Sequence, residues 1–394
     1  MNSIIEHLLP LKRVTCPEYQ HYYGYYLNKQ YNHKDRLLLG HRCNIDIIGR
    51  WQSPGDVAEV GVINIENGNE WISLAQSHAW NWQMGSMLQW LPGRNNGIIY
   101  NDRKDGQLVS IIRDIDGSHE RVLPQPISTI HPNGKWALTL NLARKWALWP
   151  ETGYCGAVDP WSAEKAPDGD GLIKLDLRTG KSEVIISFRD MLDFDPEIPQ
   201  NASGYSFSHP LYNESGTRCV FWFFSQDSRK RDIRTYTAKD DGTDIRFYAG
   251  PNSHTCWLGD DKLLIYVYGV GNGQRTIHHR MFDATTGTSQ PFSEDILTFD
   301  SHSTFSPDKK WLLMDRPDYA NHMQHLCLYH LETKTLCYLA HLNSRDELLP
   351  GLRCHLHQRW NNSGAEVSID STHEGSRQIY TMDLTEILKT NGAD

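Results

Sequence analysis

The chain has 394 residues, of which 39% are hydrophobic and 22% charged, and its formal net charge is −9 at pH 7. A general nucleic-acid or anionic-membrane surface is excluded as its main function, because such binding depends on clustered lysine and arginine. An acidic sugar held by a few local arginines is compatible with this charge.

The first ten residues lack a basic region followed by a sustained apolar stretch, so we predict no signal peptide. No window approaches the apolar run of a membrane-spanning helix. The eight cysteines are scattered and form no Cys-x-x-Cys pair, which favours buried thiols in a reducing compartment over a disulfide framework. We therefore predict a cytoplasmic protein without a nucleic-acid or membrane partner, and the sequence leaves its oligomeric state open.

A turn rich in Asn, Asp, Gly or Pro, followed by an apolar strand, recurs seven times along the chain. The turns lie near residues 33–35, 92–96, 131–135, 213–216, 259–261, 306–309 and 361–364. Each unit continues with a buried strand pattern such as Cys219-Val220-Phe221-Trp222-Phe223 and closes with an outer strand and a turn. Repeats of about 40 to 50 residues with several strands are typical of β-propellers. We predict an all-β fold, a seven-bladed β-propeller that spans residues 1–394 as a single domain.

The repeat is interrupted between residues 142 and 171, where Pro150, Gly153, Pro160 and Pro167 mark a long insertion. Long insertions in compact domains are often functional. Little helix is predicted elsewhere, apart from a turn near residues 384–388.

Histidine precedes a predicted strand in several blades. It does so at His209, His254 and His302, and twice in the segment Cys354-His355-Leu356-His357. In a strand, positions i and i+2 lie on the same face, so one metal ion or one substrate can meet both His355 and His357. Imidazole is both the usual base at neutral pH and the commonest metal ligand. The alternative for each residue is a hydrogen-bonded loop histidine or one that faces solvent.

Three segments together resemble the propeller-fold polysaccharide lyases, namely the oligogalacturonate lyases and the ulvan lyases. They are His21-Tyr22-Tyr23-Gly24-Tyr25-Tyr26, the stretch 79–90 with its Asn81-Trp82-Gln83-Met84-Gly85 motif, and residues 253–375 with their ordered histidines. The resemblance covers most of the chain. It implies a propeller fold and the cleavage of uronic-acid-containing oligosaccharides by β-elimination.

Oligogalacturonate lyases use an arginine and a histidine as a catalytic pair, and they hold a metal with one histidine and a later His-x-His. The resemblance assigns the pair to Arg234 and His254. It assigns the metal ligands to His302, His355 and His357, with Mn²⁺, Zn²⁺ or Fe²⁺ as the candidate ions and no organic cofactor. A glutamine that completes the family's metal site would fall near Leu352, which cannot bind a metal.

Ulvan lyases rely on histidine together with a tyrosine and an arginine. The arginine matches Arg144 in this chain, but Ser128 stands at the tyrosine position. The resemblance therefore implies that the tyrosine-dependent scheme does not carry over intact.

β-Elimination removes the proton α to a carboxylate, so it needs a base of near-neutral pKa and a positive charge that stabilises the intermediate. We predict His254 as the base, with His209 as the next candidate, and Arg234 as the charged partner. Arginine suits this role because its planar fork matches a carboxylate. The alternative for Arg234 is a place in a solvated basic loop.

Further substrate contacts are predicted from arginines and from the stretch 79–90. The candidates are Arg144, Arg353, Arg359, Gln83 and Trp82. Surface ion pairs are the alternative for the arginines, and a plain core position is the alternative for the tryptophan.

Two other classes of function stay open. A glycan-binding or scaffold propeller would share the blades, because one fold hosts many functions, but it needs no converging histidine and arginine. A hydrolase would ordinarily use two carboxylates, and no acidic pair stands out. The predicted partner is an acidic oligosaccharide, and the predicted lack of an export signal favours short imported oligomers.

Overall fold

This computed structural model describes residues 3–47, 49–227, 230–271, 274–345 and 350–390. Its strands form seven small sheets, and the chain is a seven-bladed β-propeller. The predicted fold class and number of blades are therefore confirmed. By the density of internal contacts the chain divides into two compact units, one of residues 1–90 and 295–394 and the other of residues 91–294.

The first unit begins with seven strands and one 3₁₀ turn at Ile45–Ile47. The strands are β1 (Ser3–Glu6), β2 (Lys12–Arg13), β3 (Tyr19–Tyr22), β4 (Leu37–Asn44), β5 (Ala58–Asn64), β6 (Glu70–Ser77) and β7 (Gln89–Trp90). Strands β3 to β6 form one antiparallel blade in chain order. Its central strands β4 and β5 are mostly buried.

The second unit carries strands of four blades and two helices. Its strands up to residue 187 are β8 (Gly97–Lys104), β9 (Gln107–Asp114), β10 (Arg121–Leu123), β11 (Thr129–Ile130), β12 (Trp136–Thr139), β13 (Gly171–Asp176) and β14 (Ser182–Ser187). The helices are α1 (Leu142–Leu148) and α2 (Phe188–Phe194). The later strands are β15 (Gly204–Tyr212), β16 (Arg218–Asp227), β17 (Lys230–Lys239), β18 (Arg246–Ala249), β19 (Asn252–Leu258), β20 (Lys262–Gly271), β21 (Gln274–Asp283) and β22 (Ser289–Pro291).

The first unit resumes with seven strands, a 3₁₀ turn at Pro350–Leu352 and helix α3 (Thr385–Thr390). The strands are β23 (Ser303–Phe305), β24 (Trp311–Asp318), β25 (Met323–His330), β26 (Thr335–Asn343), β27 (Arg359–Trp360), β28 (Glu366–Ser371) and β29 (Gln378–Asp383). Strand β1 runs parallel to β26, and β2 runs antiparallel to β29. Two blades of the C-terminal part therefore take an edge strand from the N-terminal segment.

The middle strands read as continuous apolar runs because both of their faces are buried. In β16, the residues from Cys219 to Phe224 are all at most 3% exposed. The turns before such strands need a left-handed backbone conformation, which residues other than glycine adopt with difficulty. Gly216 has φ +77°, and a Cβ there would lie 2.2 Å from Nε2 of His131. Glycine is therefore required at this turn for its conformation and for the close packing around it.

The insertion between residues 142 and 171 begins with helix α1, which the sequence analysis did not predict. The side chain of Asn141 caps this helix by accepting a hydrogen bond from the backbone N–H of Arg144. No helix in the described ranges combines the length and apolar character needed to cross a membrane. All eight cysteines are free thiols, and seven of them are buried.

Candidate functional site

Three histidines predicted as metal ligands meet in the first unit. His302 directly precedes β23, while His355 and His357 lie in the irregular segment before β27. The ring centroid of His302 is 5.0 Å from that of His355 and 4.4 Å from that of His357. The predicted grouping is therefore present, but its local geometry differs from the prediction. His355 and His357 do not lie in a strand, and His357 has φ +42°.

A carboxylate that the sequence analysis missed belongs to this cluster. Asp315 lies on β24 and is 1% exposed. Its Oδ2 lies 2.9 Å from Nδ1 of His302, and its Oδ1 accepts a hydrogen bond of 2.7 Å from the backbone N–H of His302. His302, Asp315 and His355 each offer a ligand atom, and these atoms lie within 4.8 Å of one another. His302, Asp315 and His355 thus form a candidate metal site, and together with the neighbouring His357 they are called the metal cluster below.

The protonation of the metal cluster suits metal binding. Burial opposes ionisation of Asp315 most strongly, but the charges of His302 and His355 and the hydrogen bonds from His302 together outweigh it, and the pKa of Asp315 is lowered. Burial, followed by the charges of His302 and His355, holds the pKa of His357 well below its usual value. His357 is therefore neutral and keeps a lone pair. Because Asp315 occupies Nδ1 of His302, Nε2 is the nitrogen of that ring left for a metal.

The donor set fits a divalent transition metal, since imidazole and carboxylate suit Mn²⁺, Zn²⁺ and Fe²⁺. Leu352, at the position of the family's glutamine, is 1% exposed and packs among apolar residues. Two other glutamines hold the segments that carry the histidines, because their side-chain amides donate to backbone carbonyls there. Gln324 donates to the carbonyl of Cys354 at 2.5 Å, and Gln358 donates to the carbonyl of His302.

The tyrosine-rich segment 21–26 packs against the metal cluster. The ring of Tyr26 lies 4.9 Å from that of His302 and 5.8 Å from that of His357, between centroids. The segment can turn sharply because Gly24 has φ +102°, where a Cβ would lie 2.6 Å from the backbone of Gly85. The backbone N–H groups of Tyr23 and Gly24 donate to the carboxylate of Asp370. Segment 21–26, which was one of the three that resemble the propeller-fold lyases, therefore packs beside the candidate site in the first unit.

Arg353 and Arg359 differ in their freedom to bind a substrate. Arg359 is 2% exposed and forms an ion pair of 2.9 Å with Asp370, so it is part of the core. Arg353 is half-buried, and its guanidinium lies 4.4 Å from the ring centroid of Tyr319. Within the described ranges Arg353 forms no ion pair, and its Nε has no hydrogen-bond partner. Of these two arginines, only Arg353 is placed to receive a carboxylate.

Gln83 and Trp82 have structural roles. The amide of Gln83 donates to the carbonyls of Gly351 and Arg353 at 3.2 and 3.0 Å, which fixes the segment before the metal cluster. Trp82 is 2% exposed and packs in the core against Tyr22, with ring centroids 5.2 Å apart. Trp82 is thus too buried to act as a sugar platform.

The two predicted bases lie in the second unit, where both contact Trp222. The ring of His209 contacts Trp222 at a tilt of 33°, with ring centroids 4.0 Å apart, and the ring of His254 lies 6.3 Å from the same indole. A preceding serine holds each ring: Ser253 Oγ is 2.7 Å from Nδ1 of His254, and Ser208 Oγ bonds Nδ1 of His209. Both histidines are half-buried. Trp222 is therefore flanked by two oriented imidazoles, His209 from its own sheet and His254 from the sheet that follows in the chain.

Arg234 lies on the opposite face of the same blade. Trp222 pairs with Thr235 across β16 and β17, and directly paired residues point to one face while adjacent residues alternate. The guanidinium of Arg234 contacts Asp195 at 3.1 Å and Asp232 at 2.9 Å. Its geometry indicates a structural ion-pair network and does not bring it beside His254.

Two other cations lie on the Trp222 face, and neither was singled out from the sequence. Arg231 lies four positions before Thr235 on β17 and therefore on the same face of the strand. Its guanidinium lies 4.6 Å from the ring centroid of Trp149. Lys145 on α1 is fully buried, and its Nζ donates to Ser208 Oγ. The strand register was needed to find Arg231, and the unpredicted helix α1 was needed to find Lys145.

Arg144 is buried where the sequence analysis proposed a substrate contact. It is 5% exposed and forms an ion pair of 3.3 Å with Asp159. It also donates to three backbone carbonyls of the insertion, those of Trp161, Glu164 and Lys165. Arg144 therefore anchors the insertion. That the tyrosine-dependent scheme does not carry over intact, with Ser128 at the tyrosine position, stays a prediction.

No model of a known protein family matches the sequence, and no curated protein matches it. Solved structures match over nearly the whole chain. An oligogalacturonate lyase in complex with manganese has a TM-score of 0.68 at 14% identity, covering 99% of this chain and 100% of that chain. The oligogalacturonate lyase of Vibrio parahaemolyticus has a TM-score of 0.65 at 15% identity, covering 96% and 94%. The chain has the fold of oligogalacturonate lyases.

The GH74 xyloglucanase of Xanthomonas campestris is also similar, with a TM-score of 0.52 at 11% identity, covering 93% of this chain and 52% of that chain. At such identities the similarity to oligogalacturonate lyases and to the xyloglucanase establishes the fold alone. The resemblance to ulvan lyases stays a prediction.

Proposed function

We propose that the chain is a lyase that cleaves uronic-acid-containing oligosaccharides by β-elimination. The metal cluster carries this proposal, because a buried carboxylate that orients a histidine beside two further imidazoles suits a catalytic metal. The fold shared with oligogalacturonate lyases, one of them solved with manganese, supports the same reaction class. A divalent metal, when bound, would supply Lewis-acid stabilisation of the charge that develops on the uronate.

The chain's own residues supply the remaining requirements of the reaction. Asp315 holds His302 in one orientation, and neutral His357 keeps its donor nitrogen. Arg353 would neutralise a substrate carboxylate, because its guanidinium is not tied into an ion pair in the described residues. His254 would take the α proton: its Nδ1–H would donate to Oγ of Ser253, which fixes the orientation of the ring and keeps the accepting lone pair on Nε2. Arg234 is not carried into this scheme, because Asp195 and Asp232 already pair with it.

The test is to incubate the purified chain with short oligomers of galacturonate, glucuronate and mannuronate, with and without added Mn²⁺. Elimination creates a conjugated double bond at the new non-reducing end, so absorbance in the ultraviolet should rise as chains shorten. His254→Ala should lower the rate by about 10²- to 10⁴-fold, the usual contribution of a general base. His119→Ala is the matched control, since His119 lies in an exposed turn.

Three outcomes would contradict the proposal. Chain shortening without the ultraviolet chromophore would indicate hydrolysis. Binding of uronate oligomers without any product, by wild type and by the Mn²⁺-loaded protein, would indicate a glycan-binding propeller. Elimination at full rate by His254→Ala would move the base elsewhere, and His209 would then be tested by the same assay.

A further inference from the structure

Lys145 is a buried cation without a carboxylate partner. It lies on α1, is fully buried, and forms no ion pair within the described ranges. Its Nζ lies 5.7 Å from the ring centroid of Trp149. Burying an ammonium group without a counter-charge is costly, so such a group tends to lose its proton near neutral pH. Burial, and to a lesser degree the charge of Arg231, lowers the pKa of Lys145 to about 7.

One hydroxyl joins this lysine to a candidate catalytic histidine. Nζ of Lys145 donates to Oγ of Ser208, and the same Oγ bonds Nδ1 of His209. Ser208 is fully buried, whereas His209 is half-buried. His209 also has φ +50°, an uncommon backbone conformation for a residue other than glycine, and such conformations cluster at functional sites. Lys145, Ser208 and His209 thus form a continuous chain from the interior to the Trp222 face.

We propose that Lys145, Ser208 and His209 form a proton relay in which Lys145 stores the proton that His209 gives to the leaving oxygen of the substrate. The inference rests on the proposed β-elimination for its substrate. His209 is the catalytic residue of the relay, because it would touch the reacting oxygen. Lys145 is a positioning residue that acts through Ser208.

The proton count follows from the single hydroxyl proton of Ser208. With an ammonium at Lys145, Ser208 accepts from Lys145 and donates to Nδ1 of His209, so the neutral ring carries its proton on Nε2. When Nε2 gives this proton to the leaving oxygen, Nδ1 takes the hydroxyl proton and Ser208 takes one from Lys145. The result is a protonated leaving group, a neutral amine at Lys145 and a ring protonated on Nδ1. Before the next turnover Nε2 takes a proton from water, Nδ1 returns its proton to Ser208, and Ser208 returns one to Lys145, which restores the starting state.

The charges that face the relay come from three neighbouring elements. Arg231 on β17 lies over Trp149, and Glu151 follows α1 and accepts a hydrogen bond of 2.7 Å from Nε1 of Trp149. Glu151 also acts on the charge of Arg231. His254 on β19 contacts Trp222, the indole that also contacts His209. Arg231 favours loss of the proton from Lys145, so a substrate carboxylate that neutralises Arg231 would favour its retention.

The relay can be tested without substrate by long-range ¹H–¹⁵N spectra of the full chain labelled on histidine. His209→Gln would assign the resonances of His209. In the wild type, the neutral ring of His209 should change from the Nε2–H to the Nδ1–H tautomer as the pH rises through about 7. Ser208→Ala breaks the link with little change in volume and should abolish this change, as should Lys145→Met. Ser253→Ala is the matched control and should leave His209 unaltered.

Activity gives the second measurement. Lys145→Met should lower the rate of elimination at neutral pH by about 10²-fold and remove the alkaline limb of the pH–rate profile, with KM nearly unchanged. A tautomer of His209 that does not change with pH in the wild type, or that changes equally in folded Ser208→Ala, would overturn the relay. If the tautomer changes as expected but no uronate yields an unsaturated product, the proposed function fails, and only the proton transfer between Lys145 and His209 stands.

Discussion

Asp315 shows how one buried carboxylate can define a site. It accepts hydrogen bonds from both the ring and the backbone of His302, so it fixes the position and the tautomer of that ligand. An isosteric amide would keep the shape of the side chain but would lose the negative charge. The orientation of His302 would then depend on packing alone.

We therefore expect Asp315→Asn to weaken the binding of Mn²⁺ and Zn²⁺ by about 10- to 100-fold, as is usual when a partner of a metal-binding histidine is lost. Titration calorimetry of the metal-free protein measures this directly. Asp318→Asn is the control, because Asp318 lies on the same strand but makes its hydrogen bonds to Asn321. Equal metal affinity in Asp315→Asn and wild type would exclude Asp315 from the site.

Arg359 was predicted as a substrate contact, but it is buried in an ion pair with Asp370. Its role can therefore be tested by measuring the free energy of unfolding of a variant. Replacing it with methionine leaves Asp370 buried, at 1% exposure, without its ion-pair partner. Loss of one partner from a buried pair typically costs about 3 to 5 kcal/mol. Arg13→Met is the matched control, since Arg13 pairs with Glu374 at an exposed position, where a pair contributes at most about 1 kcal/mol.

Urea unfolding of Arg359→Met and Arg13→Met measures both free energies. A folded Arg359→Met protein with the stability of the wild type but a raised KM for uronates would restore Arg359 as a substrate contact.

Whether a site residue could be predicted from the sequence depended on the kind of information that places it in the site. His302, His355 and His357 were found because their order along the chain resembles a family motif. Asp315, Lys145 and Arg231 carry no such motif, and only strand register or a helix places them beside a histidine. That Arg144 and Arg359 are buried and meet carboxylates could not be predicted, because a sequence does not show which arginines are buried beside acidic residues.

At the scale of elements, strand register decides which arginine can serve the predicted bases. Alternation along β17 places Arg231 on the Trp222 face and Arg234 on the other. The sequence alone shows Arg231 and Arg234 only as neighbours in a charged stretch. The blades themselves were predictable, because each turn carries its own glycine or asparagine and each buried strand is a continuous apolar run. Helix α1 was missed because the prolines and glycine of the insertion were interpreted as a loop, and the N-cap Asn141 was not considered.

Substitution of these two arginines should have opposite consequences. Arg234→Met should lower the free energy of unfolding by about 1 to 3 kcal/mol, because Asp195 loses a charged partner while 8% exposed. Arg231→Met should change stability by less than about 0.5 kcal/mol, as expected for an exposed residue. It should weaken the binding of uronate oligomers by about tenfold or more, because a charge-assisted contact is lost.

Denaturant unfolding and calorimetric titration of each variant with an acidic oligosaccharide distinguish the two roles. Loss of oligosaccharide binding in Arg234→Met at unchanged stability would return Arg234 to the catalytic assignment.

For the molecule as a whole, buried neutral histidines make stability depend on acidity. Burial, followed by the charge of Arg42, lowers the pKa of His21 to about 3, and burial lowers the pKa of His41 to about 3. Both side chains are fully buried in the first unit. Because each pKa is lower in the folded state than in the unfolded chain, the unfolded chain binds more protons at mildly acidic pH. Stability is therefore complete above about pH 6.5 and is lost as the pH falls below it.

The size of this loss follows from about 1.36 kcal/mol for each unit of pH below the unfolded pKa. Lowering the pH from 7 to 5 should cost about 2 kcal/mol for each of His21 and His41. Urea unfolding at a series of pH values measures the slope. His21→Gln removes one titrating group and should recover about 2 kcal/mol of the loss, whereas His33→Gln, at an exposed turn, should follow the wild-type slope. A His21→Gln slope identical to that of the wild type would show that the His21 ring takes up its proton equally in the folded and unfolded chain.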